Sequence, residues 1–133
     1  MPLGEGKVPL MWHTVLRALV SPAFILIAIK AAHTLVWGFF AACIFMIWVF
    51  ACQAQYAHAA LAIGVVMVEV VVLIMNGLRC PLTLVAVRYT DDRRANFDIY
   101  LPEWFARNNM LIFGALYVAG IFFTLARWAH ASA

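Results

Sequence analysis

The sequence predicts an all-α integral membrane protein with three transmembrane helices, an N-terminal interfacial amphipathic helix and a cytoplasmic loop that contains a short helix. Three observations carry that prediction. Hydrophobic residues make up 67% of the 133 and charged residues 11%, against about 45–50% and about 25% in soluble domains. The apolar residues gather in three runs long enough to cross a hydrocarbon core of about 30 Å. Of the nine Lys and Arg residues all but Arg127 fall on one side of those runs, the positive-inside asymmetry. A chain of this length has no room for a separate soluble domain, so residues 1–133 are expected to form a single membrane domain.

The first element is an interfacial helix over residues 8–20. Val8, Met11, Trp12, Val15, Leu16 and Leu19 recur there at helical spacing opposite His13 and Arg17, as in a helix lying in the plane of a membrane surface. Ser21-Pro22 reads as a helix start, because Ser caps free N–H groups and Pro at the first helical position lacks a donor anyway. The apolar run then continues through Cys52. At 1.5 Å per residue this is about 45 Å of helix, more than the hydrocarbon core, so Lys30 is placed at one membrane edge and residues 31–52 form the first span. Lys30-Ala31-Ala32-His33 offers no turn residue that would make residues 8–29 a separate span.

The second span covers residues 59–78, after the uncharged connection 53–58. The third covers residues 110–128 and extends a helix begun at Pro102-Glu103. Residues 79–109 between them form the strongly charged loop. Lys7, Arg17 and Lys30 precede the first span, and Arg79, Arg88, Arg93, Arg94 and Arg107 belong to this loop. The N-terminus and loop are therefore expected in the cytoplasm and the C-terminus outside, in a bacterial inner membrane. The net charge of +3 is concentrated at that one side, which points to lipid and not to nucleic acid.

An intramembrane polar site is expected from Glu69, Asn76, His33 and Tyr117. Glu69 lies well inside an apolar segment, where a carboxyl must be neutral, paired or wet. Ala62, Val66, Glu69, Leu73, Asn76 and Cys80 share one helical stripe, and Lys30, His33, Thr34, Trp37 and Ala41 share another. Both stripes should face protein. Tyr117, near the middle of the third span, is the expected phenol partner of Glu69. Gly38 with Ala42 and Ala115 with Ala119, at four-residue spacing, are the expected points of close helix approach.

Residues Arg79, Cys80, Pro81 and Thr83 form an inner-surface motif. Asn76 and Gly77 suit the last turns of a helix, Arg79 snorkels to phosphates, and Pro81 ends one hydrogen-bond ladder and begins another. Cys43, Cys52 and Cys80 are an odd, scattered set without disulfide or metal spacing. In the loop, Arg88, Arg93 and Arg94 are expected to contact lipid phosphates and neutralise neighbouring acids. Thr90 or Asp91 would cap a helix, and Tyr100, Trp104 and Phe105 would anchor the interface. Asp91-Asp92 begins the Asp-Asp-x-x-Asp spacing of diphosphate-binding enzymes, but Ala95 stands where its last Asp belongs. No Ser–His–Asp set, phosphate-cradling loop or zinc spacing is visible, so no catalytic and no metal-ligating residue is assigned. No cofactor is expected; haem at His33 is the alternative, weakened by the want of a second axial ligand, since His58 belongs to the opposite membrane edge.

Asn76-Gly77-x-Arg79-Cys80-Pro81-Leu82-Thr83, with Arg88-Tyr89-Thr90-Asp91-Asp92-Arg93-Arg94 and Asn96-Phe97-Asp98-Ile99-Tyr100-Leu101-Pro102, resembles small uncharacterised bacterial inner-membrane proteins over about residues 31–128. Cys-Pro-Leu-Thr at a helix end is similar to a broader membrane family that follows the motif with an acidic residue, where this chain has Leu84-Val85. The resemblance implies a bacterial membrane setting and supplies no activity. The function expected is a non-catalytic accessory or assembly subunit of a membrane complex, working in the bilayer as a homo-oligomer or within a larger assembly. The alternatives are a small oligomeric proton-coupled carrier using Glu69 and a haem- or quinone-linked redox subunit using His33.

Overall fold

The computed structural model describes residues 10–133, and all regular structure among them is helical. Five helices follow in order: α1 (Leu10–Leu19), α2 (Pro22–Cys52), α3 (Tyr56–Met75), α4 (Pro81–Ala86) and α5 (Glu103–Ser132). Three of them, α2, α3 and α5, are long and apolar enough to cross a membrane. Residues 8 and 9 of the expected interfacial helix, and the side chains of Trp12 and His13, lie outside what is described. Met11, Val15, Leu16 and Leu19 of α1 are exposed.

Four of the six ends of the long helices carry a local signal. Ser21 is the N-cap of α2: its hydroxyl oxygen accepts from the Phe24 amide at 3.2 Å, with Pro22 at the first helical position. The helix runs unbroken through Lys30 for 31 residues, about 47 Å at 1.5 Å per residue. It stops in a Schellman turn, in which the Gln55 amide donates to Phe50 O at 2.8 Å and the Ala54 amide to Ala51 O at 3.3 Å, with Ala54 in the left-handed region at φ 57°. The far end of α3 repeats the motif: Leu78 N–H donates to Leu73 O at 2.7 Å and Gly77 N–H to Ile74 O at 3.2 Å, with Gly77 at φ 66°. Pro81 and Pro102 stand at the starts of α4 and α5, where a missing donor costs nothing.

α2 is the central helix. It packs along both α3 and α5, which meet each other over a shorter stretch. Ile44 and Ile47 of α2, Ala62 and Val66 of α3 and Tyr117 of α5 form the buried core. No residue of the α3 stripe from Ala62 to Cys80, or of the α2 stripe from Lys30 to Ala41, is exposed, so both face protein as expected. The expected points of close approach are corrected. A side chain added at Gly38 would meet nothing, and Ala42, Ala115 and Ala119 are exposed. The tight contact is at Gly120, where a Cβ would come within 3.0 Å of Trp48 Nε1 and 3.3 Å of Ile47 Cγ2. The rotation of α5 about its axis selects which small residue faces α2, and spacing along one helix does not contain that rotation.

At the end of the bundle away from α4, Arg127 closes α2. Its guanidinium donates to Cys52 O at 3.1 Å and Ala51 O at 3.4 Å, satisfying carbonyls that the helix leaves open. Tyr56 Oη donates to Arg127 O at 3.2 Å, so α2, α3 and α5 are tied together there.

Candidate functional site

A group of polar side chains converges where the loop between α3 and α5 folds back on α2. His33 faces this loop, and its Nδ1 lies 3.1 Å from Asp98 Oδ2 and 3.2 Å from Asp98 O. Both neighbours are acceptors, so Nδ1 carries the hydrogen and donates. Thr83, on α4, donates its hydroxyl to the same Asp98 Oδ2. Asp98 is only 4% exposed. Burial alone would raise its carboxyl, but the hydrogen bonds from His33 and Thr83 outweigh that effect and hold it below the usual carboxylate range.

The same face of α2 continues this contact from Lys30 to Trp37. Thr34 Oγ1 donates to Lys30 O at 2.7 Å and accepts from the Tyr100 amide at 3.0 Å. Lys30 Nζ stands 5.4 Å from the centre of the Tyr100 ring. Trp37 Nε1 donates to Asn109 Oδ1 at 2.7 Å, and its ring meets Phe105 and Phe113 edge-on at 5.9 and 5.6 Å. Asn96 Nδ2 donates to Leu101 O at 2.9 Å and closes the last bend before α5. His33, Thr34 and Trp37 thus form a row of anchors for residues 83–109.

The expected polar site is only partly assembled. Cys80 is within hydrogen-bonding reach of His33 and joins Asp98 and Thr83 there, whereas Glu69 feels His33 only through its charge. Asn76 does not join them, because its Nδ2 donates to Val72 O at 2.7 Å and is used on its own helix end. Tyr117 is not the partner of Glu69; its hydroxyl donates to Ile63 O at 2.9 Å. The reason is depth. Tyr117 lies about 21 Å along α5 from Glu103, and Ile63 about 20 Å along α3 from Asn76, while Glu69 is only about 10 Å from that end. Among the described residues no hydrogen bond reaches Glu69, and its electrostatic partner is His33.

The inner-surface motif divides in a similar way. Pro81 and Thr83 start α4 and fasten it, Cys80 lies beside His33, and Arg79 is exposed. In the loop Arg94 engages Asp92 through Nε and Nη2, the latter at 2.7 Å from Oδ2. The Arg94 guanidinium brings the Asp92 carboxyl down to about 2. Arg93 donates to Thr90 O and Asp92 O. Thr90 and Asp91 cap no helix; Thr90 Oγ1 accepts from the Asp92 amide in a turn instead, because hydroxyl-to-backbone bonds compete with helix formation in so polar a segment. Tyr100 and Trp104 are exposed, whereas Phe105 is turned inward onto Trp37.

As chemistry, a thiol, an imidazole that donates through Nδ1 and a carboxylate stand together at the junction of α2 and α4, with the carboxylate engaged by His33 and Thr83. Among the described residues no group of three or more His, Cys, Asp or Glu side chains is disposed to hold a metal ion. His58 packs against Phe50, about 26 Å along α2 from His33, so the two histidines are not placed to share an iron. His33 and Thr83 are marked in the sequence by their stripe and motif, whereas nothing local separates Asp98 from the other acids of the loop or draws attention to Asn109. No protein-family model, no curated protein and no solved structure matches this chain.

Proposed function

We propose that this chain is a non-catalytic accessory or assembly subunit of a bacterial membrane complex. The observation that supports the reading is how the converging polar groups are used. His33, Asp98, Thr83, Thr34, Trp37 and Asn109 direct their hydrogen bonds at one another or at backbone, and no buried side-chain polar atom among the described residues lacks a partner. Such an array holds a loop in one conformation and presents it. The long helices meanwhile keep large apolar side chains exposed, among them Leu35, Phe39, Leu61, Leu111 and Phe122, as lipid or further helices require. On this reading α1 lies in the membrane interface, the loop faces the cytoplasm and the C-terminus is outside, by the asymmetry of Lys and Arg. The working form is a homo-oligomer or a larger assembly.

The test is the mass of the intact particle after purification in a mild detergent, recorded with a visible spectrum. A defined larger assembly containing a second polypeptide is the expected result. A lone monomer, or a particle with a Soret band, would count against the proposal, the latter in favour of haem at His33.

One observation favours a second reading. Glu69, without a hydrogen bond among the described residues and influenced by the charge of His33, is the kind of intramembrane acid that exchanges protons. A small oligomeric proton-coupled carrier is the alternative that it supports.

A further inference from the structure

We infer that α4 and its two flanking arginines, Arg79 and Arg88, bind the head groups of anionic phospholipids. The inference rests on the placement of the chain in a membrane and is independent of the subunit reading.

The cations at this end of the bundle are not equivalent. Arg94 is engaged with Asp92 and Arg107 with Glu103, at 2.7 and 2.6 Å. Asp98 is turned inward onto His33. What faces outward from the loop is Arg79, Arg88 and Arg93 against Asp91, and Arg93 gives its donors to two backbone carbonyls. Arg79 and Arg88 are exposed, and among the described residues neither guanidinium has a hydrogen-bond or ion-pair partner, the one bond of Arg88 being from its backbone amide to Val85 O. They stand two residues before and two residues after α4.

The short helix between them has the apolar character that a lipid surface requires. Leu84 and Val85 are 42% and 40% exposed, and Leu78, at the turn before Arg79, is 55% exposed. Tyr100 and Trp104 are exposed in the same loop and at the start of α5, the aromatic pair that favours the head-group level. Thr83 fastens α4 from its inner side through Asp98, so the helix is held with its apolar residues outward. Cations without protein partners, flanking exposed apolar side chains at the end of a membrane bundle, are complementary to a negatively charged leaflet and not to a zwitterionic one.

The experiment uses the full-length protein in detergent, titrated separately with phosphatidylglycerol, with phosphatidylcholine and with inorganic phosphate, and bound molecules are counted by native mass spectrometry. Phosphatidylglycerol should be retained in preference to phosphatidylcholine, with retention falling as salt is raised. Each of Arg79→Gln and Arg88→Gln should weaken it about fivefold. Arg79→Lys with Arg88→Lys should keep the preference, and Arg94→Gln should leave it unchanged, because that guanidinium already serves Asp92. Equal retention of the two lipids would overturn the inference. So would a loss in Arg94→Gln matching that in Arg79→Gln, or displacement of the lipid by millimolar inorganic phosphate.

Discussion

Gly77 illustrates how a single residue can be required for its backbone alone. A Cβ there would touch nothing, yet φ is +66°, and a side chain in that region costs about 1–2 kcal/mol. Gly77→Ala should therefore destabilise the protein by about 1–2 kcal/mol, measured by denaturant titration in detergent, although it leaves every packing contact in place. Gly120 is the opposite case, since space and not conformation requires it, with Trp48 and Ile47 standing where a Cβ would need room. The sequence displayed both glycines but marked only the first, next to Asn76 and before Pro81, as a helix end. Nothing local distinguishes Gly120 from Gly38. Tyr117 shows the same limit: a phenol in a span needs an acceptor, but a backbone carbonyl with a spare lone pair serves as well as a carboxylate, and depth gave it Ile63.

Helix starts were legible because each is encoded within four residues. Ser21-Pro22, Pro81 and Pro102-Glu103 open α2, α4 and α5. The folding of the loop onto α2 was not legible, because His33 and Asp98 are 65 residues apart and no periodicity connects them. That contact makes the loop sensitive to acid. The Asp98 carboxyl titrates below its ordinary value, so its contribution is complete above about pH 3.9 and is lost as pH falls through the lowered value. Hydrogen exchange at the Tyr100 amide, which donates to Thr34, should report the release. Asp98→Asn should accelerate that exchange at neutral pH by about 30-fold, as expected for about 2 kcal/mol lost from a buried charge-assisted hydrogen bond, and should remove the acid dependence. Unchanged exchange in the variant would show that the aromatic contacts of Trp37 hold the loop by themselves.

For the molecule as a whole, the decisive contrast is between the polar groups that hold the loop on α2 and Glu69, which among the described residues no hydrogen bond reaches. Glu69→Gln removes the charge and keeps the shape. In an assembly subunit it should leave the mass of the complex unchanged, and proton uptake by vesicles containing the variant, followed with an enclosed pH dye, should match the wild type. A flux present in the wild type and abolished by the substitution, with assembly intact, would move the carrier reading into first place. Composition and charge asymmetry were enough to read three apolar helices and a charged connection. They contained nothing about α2 being the helix to which both others attach, which follows from where Ile44, Ile47 and Gly120 fall once the helices pack.

The distance in sequence between His33 and Asp98 also has a meaning in time. Domains and their parts form as the chain emerges, at about 5–20 residues per second. His33 is made 65 residues before Asp98, about 3–13 s at that rate, and through that interval its imidazole stands in an apolar helix with the Asp98 acceptor still unsynthesised. The surface of α2 that receives the loop is therefore made first, and the loop can close on it only once residue 98 has been added.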